Sequence, residues 1–275
     1  MNNKIIEPEE FKKTQFDILI SVDRFCKAHG IRYFLAYGTL IGALRHGGYI
    51  PWDDDIDISM PRPDYERFIK LYNKEKDKGY YVVSPSLDPS YPNAFAKICD
   101  PDTCIIEFSS LKYDIGVNID LFPIDGLPED EYEAKAHYSK INFYRNLLNA
   151  KKIKLDFKKR SVVKNIHLML SKMALLPVSY KFLIKKINSL SIKYNYLNCR
   201  YAADLNFGNI DRRLAKKNFE SCVPVEFEGH AFDAPAGYDL WLKSIYGNYM
   251  QLPPVEKQIT HHAFKAYRKL PKLAY

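Results

Sequence analysis

The sequence predicts an α/β (α+β) fold in which a mixed central sheet with flanking helices is followed by a mainly helical C-terminal half. Three observations support this prediction. Helix-like and strand-like segments alternate over residues 1–128, which is typical of a sheet covered by helices. From Pro128 to about Asn198, apolar residues recur at helical spacing instead. The chain has 275 residues, of which 47% are hydrophobic, so it is long enough to bury a large core.

The elements of the first part follow from apolar spacing and from the residues at their ends. A helix is expected where an apolar stripe begins after Pro8 and stops before Gly30, because proline suits a first helical turn and glycine a helix end. Strands are expected where β-branched and aromatic residues cluster or alternate with polar ones. The predicted elements are helix 8–29, strand 31–37, helix 39–45, strand 55–60, helix 65–78 with Asp64 as its cap, and strands 80–84, 94–98, 104–108 and 117–122.

The second part is predicted to be helical, then to form a hairpin and a last helix. Ser161 is a candidate helix cap and Pro177 a helix break. Residues 166–184 are apolar but interrupted by lysines, which favours an amphipathic helical hairpin on the core or at a membrane interface over a membrane span. We divide the chain into a core (1–128), a basic helical region (129–205), and a C-terminal hairpin (223–237, turning at 228–229) and helix (239–246) within 206–275.

The positive charge of the chain is regional. The formal net charge is +8, yet residues 151–200 contain 13 lysines and arginines and one acid, Asp156. Two interpretations remain open: a solvated helical face, or a surface for anionic lipid or another polyanion.

The cysteines and the N-terminus predict a cytoplasmic setting. The five cysteines contain no C-x-x-C pair and are typical of neither a disulfide framework nor a zinc site. The N-terminal residues are polar and lack the apolar core of a signal peptide. No segment reaches the roughly 18 apolar residues of a membrane span. We therefore expect a cytoplasmic protein, either soluble or peripheral on the inner face of the membrane.

Four aspartates follow one another closely in the segment 37–60, YGTLIGALRHGGYIPWDDDIDISM. In a strand beginning near Asp55, alternation places Asp55 and Asp57 on the same face. Carboxylates a few ångströms apart repel each other unless a cation offsets the charge, and hard oxygen ligands suit Mg²⁺ or Mn²⁺. The alternative, solvated turn acids, explains Asp53 and Asp54 better than it explains acids alternating with isoleucine. We predict a metal site at Asp55 and Asp57.

A third acid and a helix N-terminus fit the same scheme. In VNIDLFPIDG, Asp120 alternates with apolar residues in a predicted strand, so its carboxylate needs a partner and can serve as a metal ligand or a base. Asp125, beside a glycine, is predicted to be a turn former. The turn at Gly38 and Thr39 opens a predicted helix, and the N–H groups at a helix N-terminus attract phosphate. A Gly-Thr turn alone is weak evidence for a phosphate site, and the acids that follow it in the sequence strengthen that evidence.

Three blocks of the sequence resemble the LicD family, whose relatives include fukutin. They are residues 37–68, residues 117–126 and residues 235–262, PAGYDLWLKSIYGNYMQLPPVEKQITHH. The Gly-Ser/Thr turn, the Asp-x-Asp strand and the third Asp resemble the nucleotidyltransferase superfamily more widely. The resemblance implies a nucleotidyltransferase-like fold and transfer of phosphocholine from CDP-choline, or of another alcohol phosphate from its CDP-alcohol, to a glycan hydroxyl with release of CMP. Acceptors in the family are teichoic acids, lipopolysaccharide or capsule, often lipid-linked.

The resemblance also implies roles for individual residues. Asp55, Asp57 and Asp120 would hold Mg²⁺ (or Mn²⁺), and Asp120 would also orient or deprotonate the acceptor hydroxyl. The 206–275 segment would complete the site. The candidate donor contacts are Gly38, Thr39, Arg45, Lys97, Lys257 and His261. Lys97 has an alternative as a plain edge lysine, Arg45 one as a helix-end cation, and Lys257 and His261 one as members of a packed polar tail. The roles of Asp53, Asp54 and His262 are left open. Trp241 and the tyrosines near 246–249 are expected in the core, with stacking on cytosine as the alternative.

Two other classes of function are kept. A nucleotidyltransferase acting on a small acceptor would use the same three acids and release pyrophosphate. A noncatalytic protein that binds membrane or nucleic acid through residues 151–200 has no need of three inward-facing acids, so nucleic acid is not an expected partner.

Overall fold

The computed structural model describes residues 4–75, 79–107, 109–156, 161–206, 213–260 and 264–269. These residues form an α/β fold, as predicted. The helices are α1 (Pro8–His29), α2 (Tyr37–His46), α3 (Arg62–Glu75), α4 (Glu131–Lys152), α5 (Val162–Ala174), α6 (Tyr180–Ser191) and α7 (Tyr238–Tyr246). The strands are β1 (Lys4–Ile5), β2 (Phe34–Leu35), β3 (Asp57–Pro61), β4 (Tyr81–Val83), β5 (Ala96–Cys99), β6 (Thr103–Glu107), β7 (Asn118–Leu127), β8 (Tyr201–Asp204), β9 (Leu214–Ala215), β10 (Cys222–Phe227), β11 (His230–Pro235) and β12 (Phe264–Arg268).

The central sheet is mixed and is organised around β7. Its order is β2-β3-β7-β5-β4, with β8 pairing to β7 and β9 to β8. Only the β3–β7 pair among these is parallel. Ile124 of β7 is paired with both Pro61 of β3 and Asp204 of β8, so β8 lies on the edge of β7 opposite β3, where β5 pairs with its first half. The central sheet therefore includes strands from more than one of the three predicted segments.

The core lies between this sheet and the helices α1 and α3. Both helices contact β7. Along β3 and the first half of β7, apolar side chains alternate with polar ones. Apolar residues of β3 and β7 are completely buried because they point into this layer. The fully buried members include Ile18 of α1, Phe68 of α3, Ile58 and Met60 of β3, and Ile119 and Leu121 of β7.

Several predicted boundaries are wrong by a few residues. The strand predicted over 31–37 is reduced to Phe34–Leu35 because α2 already begins at Tyr37. The strand predicted from Asp55 begins at Asp57. Helix α3 begins at Arg62, so Asp64 lies within its first turn instead of capping it, and its carboxylate accepts a 2.9 Å hydrogen bond from Arg32 Nε.

Asp125 is not a turn former. Strand β7 continues to Leu127, and the Asp125 side chain is 1% exposed. Arg62 donates two hydrogen bonds to this carboxylate, Nε to Oδ1 at 2.6 Å and Nη2 to Oδ2 at 2.8 Å. A planar guanidinium and a carboxylate fit each other in this two-pronged arrangement. The pair fixes the start of α3 to the far half of β7.

The predicted hairpin is confirmed and packs against a glycine pair that sequence reasoning did not explain. Strands β10 and β11 join at Glu228 and Gly229, whose φ angles are 52° and 74°. Glu228 Oε1 accepts a hydrogen bond from the backbone N–H of Tyr49 at 3.0 Å. A Cβ on Gly48 would lie 2.1 Å from the same oxygen. Glycine at this position therefore lets the hairpin tip approach the loop after α2.

The helical region is confirmed over α4, α5 and α6, with Ser161 capping α5 and Pro177 between α5 and α6. Short strands follow it, and β8, β9 and β12 were not predicted. Strand β12 pairs with β1 and β6 in a three-stranded sheet. Within the described residues, none of the helices combines the length and apolar character that crossing a bilayer requires.

Candidate active site

Three polar side chains form a row across the middle of the central sheet. Asp57 of β3 is the cross-strand partner of Asp120 on β7, and Asp120 is the partner of Lys97 on β5. Cross-strand partners project from the same face of a sheet. Lys97 Nζ lies 2.6 Å from Asp120 Oδ1 and 2.9 Å from Asn118 Oδ1. The row therefore brings together two predicted acids and the predicted phosphate contact.

Lys97 is not an edge lysine. Its strand β5 lies between β7 and β4, and its side chain is only 12% exposed. A lysine this far inside a sheet needs an anionic partner, and Asp120 supplies it. Lys97 thus lies beside the acids, where its ammonium neutralises part of their charge.

The three consecutive aspartates form a compact group next to this row. Oxygen atoms of Asp53, Asp54 and Asp55 all lie within 4.8 Å of one another. Because β3 begins only at Asp57, Asp55 belongs to the entering loop and strand alternation does not separate it from Asp53 and Asp54. The choice of Asp55 over Asp53 and Asp54 as a ligand therefore does not follow from strand alternation, and it stays a prediction.

The electrostatics of Asp57 connect the loop acids to the row. Burial raises the pKa of the Asp57 carboxyl well above its ordinary value, and the carboxylates of Asp55, Asp120 and Asp53 raise it further, while Lys97 opposes them. Like charges at short range disfavour ionisation of each member. The cluster therefore carries more negative charge than Lys97 offsets, which is the situation that a divalent cation relieves.

The N-terminus of α2 faces the same acids. Gly38 and Thr39 lie in its first turn, because the helix begins at Tyr37. A Cβ on Gly38 would be 2.4 Å from Asp53 Oδ2, so the carboxylate lies directly against this turn, where the helix dipole favours an anion. Thr39 Oγ1 accepts a 2.8 Å hydrogen bond from the Asp57 backbone N–H. Gly38 thus gives an anion room to approach, and Thr39 fixes the start of β3.

A contact beneath the site was not predicted. The Tyr37 hydroxyl donates a hydrogen bond to Asp204 of β8, and Tyr37 has a φ of 47°, which non-glycine residues rarely adopt. Burial raises the pKa of Asp204 to about 6. This contact connects the first turn of α2 to the far side of β7. Asp204 lies in a stretch where the sequence offered no motif.

A pocket opens along α2, with Ile41 and Arg45 of this helix in its wall. Its volume is 410 Å³, within the range of small-ligand pockets. Its wall includes Trp52, directly before Asp53 in the chain, and Tyr246, which is 45% exposed. Arg45 Nη1 donates to the backbone carbonyls of Tyr249 at 2.9 Å and Gln251 at 3.3 Å. Arg45 therefore holds the C-terminal loop that closes one side of the pocket.

Comparisons with known proteins agree with the sequence blocks. Residues 30–162 match the family model described as LicD/FKTN/FKRP, nucleotidyltransferase domain. The chain is 33% identical over 264 residues to the lipopolysaccharide cholinephosphotransferase LicD of Haemophilus influenzae, covering 91% of this chain and 94% of that protein. The chain belongs to the LicD family.

Two further relatives match only in part. The ribitol 5-phosphate transferase FKRP of Homo sapiens is 53% identical over 34 residues, 12% of this chain and 7% of that protein. The mannosyltransferase regulator 14 of Saccharomyces cerevisiae is 37% identical over 73 residues, 26% of this chain and 8% of that protein. The LicD family model itself includes all the predicted acids and Lys97 but ends before Asp204 and the pocket residues near Tyr246.

The C-terminal block of this LicD-family chain contacts the segment before the acids through the side chain of Thr260. Thr260 Oγ1 donates to the Trp52 carbonyl at 3.2 Å. Lys257 is exposed in a short 3₁₀ turn, Val255–Lys257. Trp241 and Tyr249 are 2% and 8% exposed, as expected for core residues. Tyr246, which was expected in the core with them, is 45% exposed because it lines the pocket instead. His261 and His262, of which His261 was predicted as a donor contact, lie outside the described residues.

The residues present fit a divalent metal. Their donor atoms are carboxylate oxygens, which Mg²⁺ and Mn²⁺ prefer over nitrogen or sulfur. Asp53, Asp54 and Asp55 are close enough to share one ion, and burial together with the negative charges around it raises the pKa of the Asp57 carboxyl. The choice of Asp55, Asp57 and Asp120 as the ligand set stays a prediction.

Proposed function

We propose that this chain is a phosphotransferase that moves phosphocholine, or a related alcohol phosphate, from a CDP-activated donor to a hydroxyl of a cell-surface glycan and releases CMP. The observation that carries the proposal is the row of Asp57, Asp120 and Lys97 beside the N-terminus of α2. Its support is the similarity along 91% of the chain to a lipopolysaccharide cholinephosphotransferase.

In this proposal Asp55, Asp57 and Asp120 hold Mg²⁺ or Mn²⁺, with Asp53 and Asp54 close by. When bound, the ion would neutralise charge on the pyrophosphate of the donor and on the departing CMP. The other contacts to the donor phosphates come from the protein itself. Lys97 is placed to contact a phosphate oxygen when its ion pair with Asp120 opens, and the first turn of α2 offers an anion site at Gly38.

Asp120 is proposed to receive the proton of the acceptor hydroxyl. The hydroxyl oxygen attacks the phosphorus that bears the alcohol, a new P–O bond forms, and the bond from that phosphorus to the CMP oxygen breaks. The proton moves to Asp120 Oδ, and CMP leaves with the electron pair of the broken bond. A carboxylate within hydrogen-bond reach of an attacking hydroxyl is the usual requirement for such a base.

The pocket beside α2 is proposed to hold one end of the donor. Trp52 and Tyr246 line it, and aromatic faces attract both a quaternary ammonium and a nucleobase. Because Trp52 directly precedes Asp53 in the chain, we expect a donor lying in the pocket to direct its pyrophosphate toward the acids. Arg45 is proposed to stabilise this wall of the pocket through its hydrogen bonds to the backbone carbonyls of Tyr249 and Gln251.

The second candidate is nucleotidyl transfer to a small acceptor. It is favoured by the description of the matching family model as a nucleotidyltransferase domain. The same carboxylates would serve it, but the donor would be a nucleoside triphosphate and the released product pyrophosphate. The product therefore separates the two candidates.

The first prediction concerns the released product and its metal requirement. Purified protein with Mg²⁺ and a panel of CDP-alcohols, assayed with and without lipid-linked glycan, is expected to release CMP. Because the carboxylates need a cation to bind a pyrophosphate, EDTA should lower the rate by about a hundredfold or more, and added Mg²⁺ or Mn²⁺ should restore it. Turnover of CTP to pyrophosphate, with every CDP-alcohol left intact, would establish the second candidate instead.

Gly38→Ala tests the anion site on α2. The new methyl group would displace the Asp53 carboxylate, since its Cβ would lie 2.4 Å from Oδ2. Misplacing a group by about 1 Å can cost about a hundredfold in rate, so CMP release should fall by about ten- to a hundredfold. Thermal unfolding should move little, because the displaced atom ends a flexible side chain and alanine favours helix over glycine.

A double-mutant cycle provides the control for Gly38→Ala. If the methyl group acts through Asp53, the rates of Asp53→Asn and of the double variant should be nearly the same. Fully additive losses would mean that Gly38 acts on the donor directly. An unchanged rate in the Gly38→Ala protein would remove the anion site from the proposal.

A further inference from the structure

Helix α5 exposes the apolar side chains that most helices bury. Val162, Ile166, Met169 and Met173 recur at spacings of four, three and four residues, which places them on one face. Their exposed fractions are 60%, 45%, 42% and 59%. Val163 and Leu170, on the adjoining face, are 75% and 55% exposed. Helices of water-soluble domains normally turn such a face toward the core, and α5 turns it outward.

Polar contacts hold α5 on the protein instead. Its one fully buried residue is Asn165, whose Oδ1 accepts from the Asp156 N–H at 3.1 Å and whose Nδ2 donates to the Asp156 carbonyl at 3.0 Å. At the other end, Lys172 Nζ donates to the Lys151 carbonyl at 2.9 Å and Lys151 Nζ to the Leu175 carbonyl at 2.7 Å. The helix is thus fixed at both ends while its apolar face stays available.

The charge around this face is positive. Residues 151–200 contain 13 basic residues and a single acid, and no acid occurs between Asp156 and Asp204. Lys154 and Lys164 are exposed, the first in the segment that Asn165 holds and the second on α5 itself. A helix with an exposed apolar face, in a region this rich in lysine, is complementary to a surface that offers phosphates at its rim and hydrocarbon beneath.

We infer that α5 lies in the headgroup region of an anionic phospholipid bilayer, with Val162, Ile166, Met169 and Met173 toward the acyl chains and the basic region around the helix attracted to the lipid phosphates. A second copy of the chain fits this face poorly. A symmetric contact would press two positive surfaces together, and like charges repel across an interface. The inference does not depend on which reaction the acids perform.

The test is cosedimentation of the full chain with vesicles of phosphatidylcholine containing phosphatidylglycerol, and with vesicles of phosphatidylcholine alone. The chain should bind the anionic vesicles, and less at high salt, since exposed charges are screened. The Val162→Gln, Met173→Gln double variant removes two apolar contacts three helical turns apart. The affinity of this variant for the anionic vesicles should be lower than that of the unmodified chain by at least about tenfold.

The matched control is the Tyr132→Gln, Leu197→Gln double variant. These side chains are 85% and 63% exposed, and Tyr132 lies at the opposite end of α4 from Lys151, about 30 Å along the helix. This variant should bind as the unmodified chain does, and circular dichroism should show both variants folded. The inference is overturned if the unmodified chain ignores anionic vesicles at moderate salt, or if the α5 variant binds them undiminished. It is equally overturned if sedimentation velocity shows a dimer that the α5 substitutions dissociate.

Discussion

Replacing Asp57 by asparagine is expected to lower the rate of CMP release by about a thousandfold or more, because the proposed metal loses a carboxylate ligand worth several kcal/mol of transition-state stabilisation. The same change should raise the free energy of unfolding in the absence of metal. Burial and the neighbouring acids raise the pKa of Asp57, so ionising it in the folded protein costs free energy that a neutral amide does not. A gain of about 1 kcal/mol is expected from the removed repulsion.

Rate and stability measured on the same preparation make this prediction specific. A merely structural role for Asp57 would make stability and activity fall together, whereas an active-site acid that is costly to fold lets them move in opposite directions. The control is Asp17→Asn, which removes a carboxylate that is 42% exposed and ion-paired with Lys13. Exposed pairs of this kind contribute little, so both quantities should hardly change. Activity retained in Asp57→Asn would contradict the proposed site.

Local sequence patterns were sufficient to place Asp57 and Asp120 on strands but not to make them neighbours. Period-2 alternation around each acid predicted a strand with the carboxylate on one face. Their adjacency comes from the parallel pairing of β3 with β7. Such pairing joins segments about sixty residues apart in this chain and depends on the crossover between them, which has no local signature.

The partner of a glycine is equally hidden from local sequence patterns. Gly48 was visible in the sequence as half of a glycine pair, but its reason is Glu228, 180 residues further on by subtraction. Lys97 is a similar case, since alternation placed it in a strand and only the sheet order showed that the strand is internal. Short-range rules predict a side chain's face, whereas its partner is set by topology.

Asp125 is the clearest failure of local reasoning, and it shows why. A lone aspartate beside glycine is typical of a turn, and the sequence between it and Arg62 gives no indication that they meet. In the fold, Asp125 is 1% exposed and Arg62 13% exposed by side chain. A buried carboxylate requires a cationic partner. Arg62, which also covers the Tyr65 ring at 4.9 Å, is that partner.

Arg62→Met is expected to lower the free energy of unfolding by about 3–5 kcal/mol at about pH 7, because it leaves a buried carboxylate without its partner. Burial raises the pKa of Asp125, and Arg62 opposes that rise, so the pKa climbs further in the variant. A folded-state pKa above the unfolded value, near 4, favours folding while the group is protonated, and this contribution is lost as pH rises. The destabilisation should therefore be larger at about pH 7 than at about pH 5, as measured by urea unfolding.

The pH dependence separates lost charge pairing with Asp125 from lost packing, since the contact of Arg62 with the Tyr65 ring would be missed equally at every pH. Glu66→Gln removes the other, 54% exposed partner of Arg62 and should cost no more than about 0.5 kcal/mol. Adding Asp125→Asn to Arg62→Met should return about 2 kcal/mol at neutral pH, although Asp125→Asn alone is destabilising, because the amide no longer has a charge to be left unpaired. If the second substitution only adds to the loss, the pair is not what fixes α3 to β7.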